Sequence, residues 1–178
     1  MTAGIHNFEI IYDKDEIHAY EKEIVSEGIC RSFIPASFFR EDDMLKVIYT
    51  YDGYLRIREC RFREIIQLLN LVERVIKDVE DAMDCFIDIN RISFSIDTVF
   101  YDQKREDVRM AFLVAEDGTV FSQRIASFIA SLKEVYDGPG RGIIDRLSKS
   151  IMTDNLSFDT IRDTVSDVKA EVLRLGIV

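Results

Sequence analysis

The stretch Arg61 to Met83, RFREIIQLLNLVERVIKDVEDAM, fixes the reading of the chain. Phe62, Ile65, Ile66, Leu69, Val72, Val75, Ile76, Val79 and Met83 recur at steps of three and four on a polar background, the rhythm of one amphipathic helix with a buried face. Glu64, Glu73, Arg74, Lys77, Asp78 and Asp81 fall on the other face and are expected to be solvated. Upstream, Met44 to Tyr51 is rich in β-branched and aromatic residues and reads as a strand. Asp52-Gly53 then supplies the positive φ of a tight hairpin into Tyr54 to Arg58.

Further out, Phe8 to Tyr12 suits a strand, and Asp13 with Glu16 predicts a capped helix start. That helix carries Ile17, Tyr20, Ile24 and Val25 and stops at Gly28. Ile29 to Asp43 contains Pro35 and no period, and is expected to be a connector bringing Phe33, Ile34, Phe38 and Phe39 into the core. Beyond the long helix, Cys85–Ile87, Ile92–Phe94, Val99–Tyr101 and Arg109–Val114 predict short strands and hairpins.

Three helices follow. Phe121 to Val135 carries one apolar stripe, and Ile143 to Ile151 carries another behind Pro139. Phe158 to Leu175 lies between Ser157 and Gly176 as caps. The fold class is α+β: a small antiparallel sheet with a long helix, then hairpins and a helical tail. Residues 1–178 read as one domain, with possible sub-lobes 1–84 and 85–178. Val72 and Val168 sit on apolar stripes, so a carboxylate at either is expected to unfold the chain.

Composition narrows the function classes. With 23 basic and 33 acidic residues the net charge is −10, which opposes nucleic acid and anionic lipid as partners. It favours proteins with basic patches. No apolar run approaches the ~20 residues of a membrane helix, and Met1 to Asn7 carries no secretory signal, so the expectation is a cytoplasmic chain without membrane insertion. Cys30, Cys60 and Cys85 form no Cys-x-x-Cys pair and read as reduced, mostly buried thiols.

No catalytic, metal or cofactor residue is assigned. His6 lies near the terminus and His18 on a charged helix, with no nucleophile placed around either. The acidic pairs Asp42-Asp43, Glu80-Asp81 and Glu116-Asp117 do not form a calcium loop. Gly138-Pro139-Gly140-Arg141-Gly142 precedes a helix and could face an anion, but it lacks the Gly-Lys-Ser/Thr ending of a phosphate loop. A rigid loop is the favoured reading. With no Trp and no basic stripe, a base-stacking platform is disfavoured.

Ser32-Phe33-Ile34-Pro35, Met44 to Tyr54, the long helix and Cys85 to Tyr101 resemble the bacterial family of unknown function found N-terminal to forkhead-associated (FHA) domains. That family's turn, apolar triplet and hairpin correspond here to Phe33-Ile34-Pro35, Cys85-Phe86-Ile87, and Ile92, Phe94 and Val99-Phe100. The family's usual Pro near Asp97 is missing. The resemblance spans most of residues 7 to 175.

The element order also resembles a shortened protein-kinase scaffold, of the kind that a membrane-anchored component of type VII secretion uses as a noncatalytic domain. Under that resemblance Arg61 to Met83 stands at the regulatory helix and Ile92 to Tyr101 at the catalytic-loop hairpin. The sequence has no Gly-rich loop, Val-Ala-x-Lys, His-Arg-Asp or Asp-Phe-Gly. The resemblances imply a noncatalytic signalling or protein-interaction module that binds protein partners and no cofactor. The Gly-Arg and Ser-x-x-His framework for phosphothreonine is not present as a set, so phosphopeptide binding would belong to another segment. The rival expectations are a degenerate nucleotide-binding protein using Gly140, Arg141 and Gly142, and a structural spacer.

Overall fold

A computed structural model describes residues 6–115, 118–152 and 156–177. Strand β1 (Asn7–Asp13) alternates, turning Phe8, Ile10 and Tyr12 inward and Glu9 and Ile11 outward. It pairs antiparallel with β3 (Met44–Thr50), which in turn pairs with β2 (Ala36–Glu41), giving the order β1-β3-β2. Helix α1 (Ala19–Ser26) connects β1 and β2 and packs beside β2. A second antiparallel sheet has the order β4-β5-β6, from Leu55–Arg56, Val99–Asp102 and Asp107–Met110.

Helix α2 (Ile65–Asp84) buries Ile65, Leu68, Leu69, Leu71, Val72, Val75, Ile76, Val79 and Ala82 against β6 and α5 (Phe158–Leu175). Helices α3 (Phe121–Ser131) and α4 (Arg141–Ile151) pack on each other, and α4 packs on α5. The Ser157 hydroxyl accepts the Thr160 N–H at the start of α5, and Gly176 ends it with a left-handed φ of 63°. Among the described residues one continuous hydrophobic cluster runs through both sheets and helices α1 to α5. The α+β class is therefore observed, with small antiparallel sheets and a helical second half.

The two sheets are stitched through the connector after α1. Phe33 bridges Met110, with Ile34 N–H donating to Met110 O at 2.9 Å and Met110 N–H to Ser32 O at 2.8 Å. Tyr49 of β3 is wholly buried and its hydroxyl donates to the Phe112 carbonyl. Burial pushes that phenol far above its ordinary pKa, so it remains a donor at any working pH.

Several local expectations are corrected. Asp13 N–H does bond Glu16, but the chain turns through 14–17, burying Ile17, and the helix begins at Ala19. There His18 N–H donates to Glu21 Oε2 at 2.8 Å, so this pair caps the helix. The expected connector contains β2, and Phe39 on its outer face is 48% exposed. Asp52-Gly53 is a turn, with Gly53 at φ 85°, but it passes the chain from β3 to the other sheet. The tight hairpin is instead β2–β3, turning at Asp42 (φ 53°) and Asp43.

Helix α2 starts at Ile65, later than the periodicity suggests, because Phe62 pairs as an isolated bridge with Tyr136. It ends at Asp84, close to the expected Met83, but Met83 itself is exposed rather than on the buried face. Cys85–Ile87 forms the exit of α2, with Phe86 left-handed and Ile87 N–H donating to Ala82 O. Ile92 makes only a bridge to Val114, so two of the four expected short strands form. The helix lying on the first sheet is α1, whereas α2 packs with elements that follow it in sequence.

Candidate functional site

The residues singled out from sequence are held in structural roles. His6 N–H donates to Asp52 at 2.8 Å. His18 Nδ1 lies 2.9 Å from Glu21 Oε2, whose carboxylate is wholly buried and also receives Arg91 through Nε at 3.0 Å and Nη2 at 3.1 Å. Asp43 pairs with Lys14 at the hairpin turn. Glu80 and Asp81 lie on α2 within reach of Lys77, and Glu80 also meets Arg162. The pair Glu116-Asp117 lies outside the described residues. Among the described residues no group of three or more His, Cys, Asp or Glu is arranged to hold a metal ion.

The Gly138 to Gly142 loop is closed on itself. Arg141 Nη2 donates to Tyr136 O at 2.9 Å, and the Tyr136 hydroxyl donates to Pro139 O. A Cβ at Gly138 would stand 1.9 Å from Arg63 O, so the backbone passes too close for any other residue. Gly140, with φ 100°, starts α4. These contacts match the rigid-loop reading. The three thiols are free; Cys30 and Cys60 are buried and Cys85 is half-buried. Burial pushes Cys60 and Cys85 each up to about 11, with the neighbouring Cys30 adding to the rise at Cys85. Both are therefore thiols and poor nucleophiles at neutral pH.

The feature sequence reasoning did not find is a groove of about 730 Å³ along the polar face of α2, walled by the β5–β6 turn and by Lys169 of α5. Its floor is Phe62, Leu71 and Tyr101, with the Phe62 and Tyr101 rings 5.7 Å apart. Gln67, Asn70 and Gln103 add amide donors and acceptors. Four cations, Arg61, Arg74, Lys77 and Lys169, line it against two anions, Glu73 and Glu106. Lys169 is paired with Glu73, and Lys77 Nζ lies 2.6 Å from Asp81. Arg61 and Arg74 have no carboxylate within 4.0 Å among the described residues. No residue of the Gly138 to Gly142 loop lines the groove.

Asp78, on the flank of α2 facing β6, departs from the expected solvated face. Its Oδ2 is buried without a hydrogen-bond partner. Burial, reinforced by the carboxylates of Asp107 on β6 and Asp81 on α2, pushes its pKa up to about 8 against the pull of Arg74 and Arg109. The folded chain therefore holds a proton that the unfolded chain releases near pH 4, and stability falls as pH rises from about 4 to about 8. The slope is bounded by about 1.4 kcal/mol per pH unit. Asp78→Asn removes this loss, so its melting temperature should exceed that of the parent by a margin that widens from pH 5 through pH 8. A margin independent of pH would contradict the assignment.

In fold the chain is similar to the cytoplasmic fragment of EssB from Geobacillus thermodenitrificans, with a TM-score of 0.53 and 12% identity over 94% of this chain and 86% of that one. No family model matches the sequence, and no curated protein does. Among the described residues no helix is long and apolar enough to cross a membrane. At this identity the likeness speaks for the architecture alone, and it extends over nearly the whole chain.

Proposed function

We propose that the chain is a noncatalytic, cytoplasmic protein-interaction module linked to type VII secretion. The observation that carries this reading is the fold likeness over 94% of the chain to the EssB cytoplasmic fragment. Two further features support it. The sequence lacks the phosphate-loop, lysine, base and metal motifs of phosphoryl transfer. The groove on α2 offers permanent charges, amides and the half-buried Tyr101 ring, the elements of recognition. The link to FHA proteins rests on the sequence resemblance, and reading the full open reading frame tests it.

A pull-down from native cell extract with this chain as bait, at low and at high salt, tests the module. A specific protein that is retained at low salt and elutes as salt rises is the expected result, because charge complementarity steers such encounters. If nothing beyond background binds while the full-length protein captures a partner, the chain is a spacer.

The nucleotide alternative predicts a different outcome. A ligand at a hundred times its Kd stabilises a fold by about 2.7 kcal/mol, roughly 5–11 °C for a chain of this size. ATP with magnesium is expected to produce no such shift, since the sequence carries none of the signatures for phosphate and metal capture. A saturable rise in melting temperature would overturn the noncatalytic reading.

A further inference from the structure

We propose that the groove on α2 binds an acidic segment of a protein partner in extended conformation, its carboxylates on Arg61 and Arg74 and an apolar side chain on the Tyr101 ring. This rests on the interaction-module reading and gives it a ligand class. On composition alone the chain, at −10, should seek basic partners. In the groove, once Lys169 is set against Glu73 and Lys77 against Asp81, Arg61 and Arg74 remain against the single carboxylate of Glu106. The local sign governs a bound ligand, because charges beyond about 8 Å are screened at physiological salt.

The cations are not equivalent. Lys77 and Lys169 already have carboxylate partners, so they shape the wall. Arg61 and Arg74 have none among the described residues, and a guanidinium is suited to forked recognition of a carboxylate. Arg61 is also pre-oriented: its Nη1 donates to Cys60 O at 2.8 Å and to Arg58 O at 3.2 Å, which fixes the side chain before a ligand arrives.

Length and floor favour a peptide over a small anion. From Gln67 to Lys77 the helix rises about 15 Å, the span of about four to five extended residues. Phe62 and Leu71 are themselves buried, but the half-buried Tyr101 ring is a face that a phosphate or carboxylate alone would leave unused, whereas an apolar side chain between two acidic ones would cover it. Gln67, Asn70 and Gln103 can meet the peptide backbone with both donors and acceptors.

The test uses the whole chain and a short fluorescein-labelled peptide of alternating Glu and Leu, read by anisotropy. The Glu/Leu peptide is expected to bind at least tenfold more tightly than its Gln/Leu and Lys/Leu counterparts, with affinity falling as salt rises. Arg74→Gln and Arg61→Gln should each weaken it about tenfold, the equivalent of about 1.4 kcal/mol, with the fold retained by far-UV circular dichroism. Arg146→Gln, which breaks a pair with Glu171 away from the groove, should leave binding intact. Amide shifts on titration should cluster at 61–77 and 101–106.

Equal binding of the three peptides, or Arg74→Gln and Arg61→Gln both without effect, overturns the proposal. So does competition by inorganic phosphate or a single-stranded oligonucleotide as effective as the unlabelled peptide, which would make the groove a general anion patch. The pull-down separates the two readings. A partner still captured by the Arg61→Gln/Arg74→Gln double variant retains the module and removes the groove assignment, whereas loss of that partner in the double variant supports both.

Discussion

Val72→Asp is expected to abolish the folded state. Val72 is 1% exposed on the face of α2 that packs against α5 and β6. A carboxylate there forfeits the apolar burial and must either ionise without a partner or bind a proton at a cost, together several kcal/mol out of a typical total of about 5–15 kcal/mol. Far-UV circular dichroism and gel filtration should show an unfolded or aggregated chain. Val168→Asp separates this from a general intolerance of helix charges. Val168 lies at the border of the same packed region and is half-buried, so its carboxylate can reach water. The Val168 variant is expected to fold with a lowered melting temperature, a milder outcome than its place on the sequence stripe suggests. A Val72→Asp protein that melts cooperatively at the parent's temperature would show that this face of α2 is not core.

The contrast between these two valines marks how far the sequence can be read. Periodicity finds the helix and its face, because burial repeats with the 3.6-residue turn; α2, α3, α4 and α5 are legible for that reason, and Ser157 and Gly176 mark the ends of α5. Periodicity does not say how deep each position lies, which depends on what covers it. Strand β2 escaped because it is an edge with an open outer face: Phe39 points out beside Ile11 across the sheet, and no alternation of apolar and polar residues results. Asp52-Gly53 is readable as a turn, yet turn chemistry is local and cannot tell which strand the chain will join next. The groove was invisible for a related reason. Arg61, Arg74, Gln103 and Lys169 are far apart in sequence and converge only through the packing of α2, the β5–β6 turn and α5, while the net charge averages them away.

Arg91→Met is expected to cost about 3–5 kcal/mol, the second large loss, because it strands a charge where water cannot follow. Glu21 on α1 is wholly buried, and Arg91, 70 positions later, grips both carboxylate oxygens while Nη2 also donates to Glu16 O at 2.7 Å. The segment bearing Arg91 is held from its other side by Arg124 of α3, whose guanidinium donates to Ile89 O at 2.7 Å and Asn90 O at 2.8 Å. The two arginines thereby tie α1, the Ile89–Arg91 turn and α3 into one unit. With 178 residues, the loss corresponds to roughly 6–20 °C in melting temperature. Glu21→Leu alone is also destabilising, since it removes the cap on His18 N–H and frees the Arg91 charge in a half-buried place. The double variant Glu21→Leu/Arg91→Met carries no stranded charge and is expected to recover part of the loss, so a double-mutant cycle should give a favourable coupling of a few kcal/mol. Additive losses with no coupling would show that the pair contributes only as two separate packing groups.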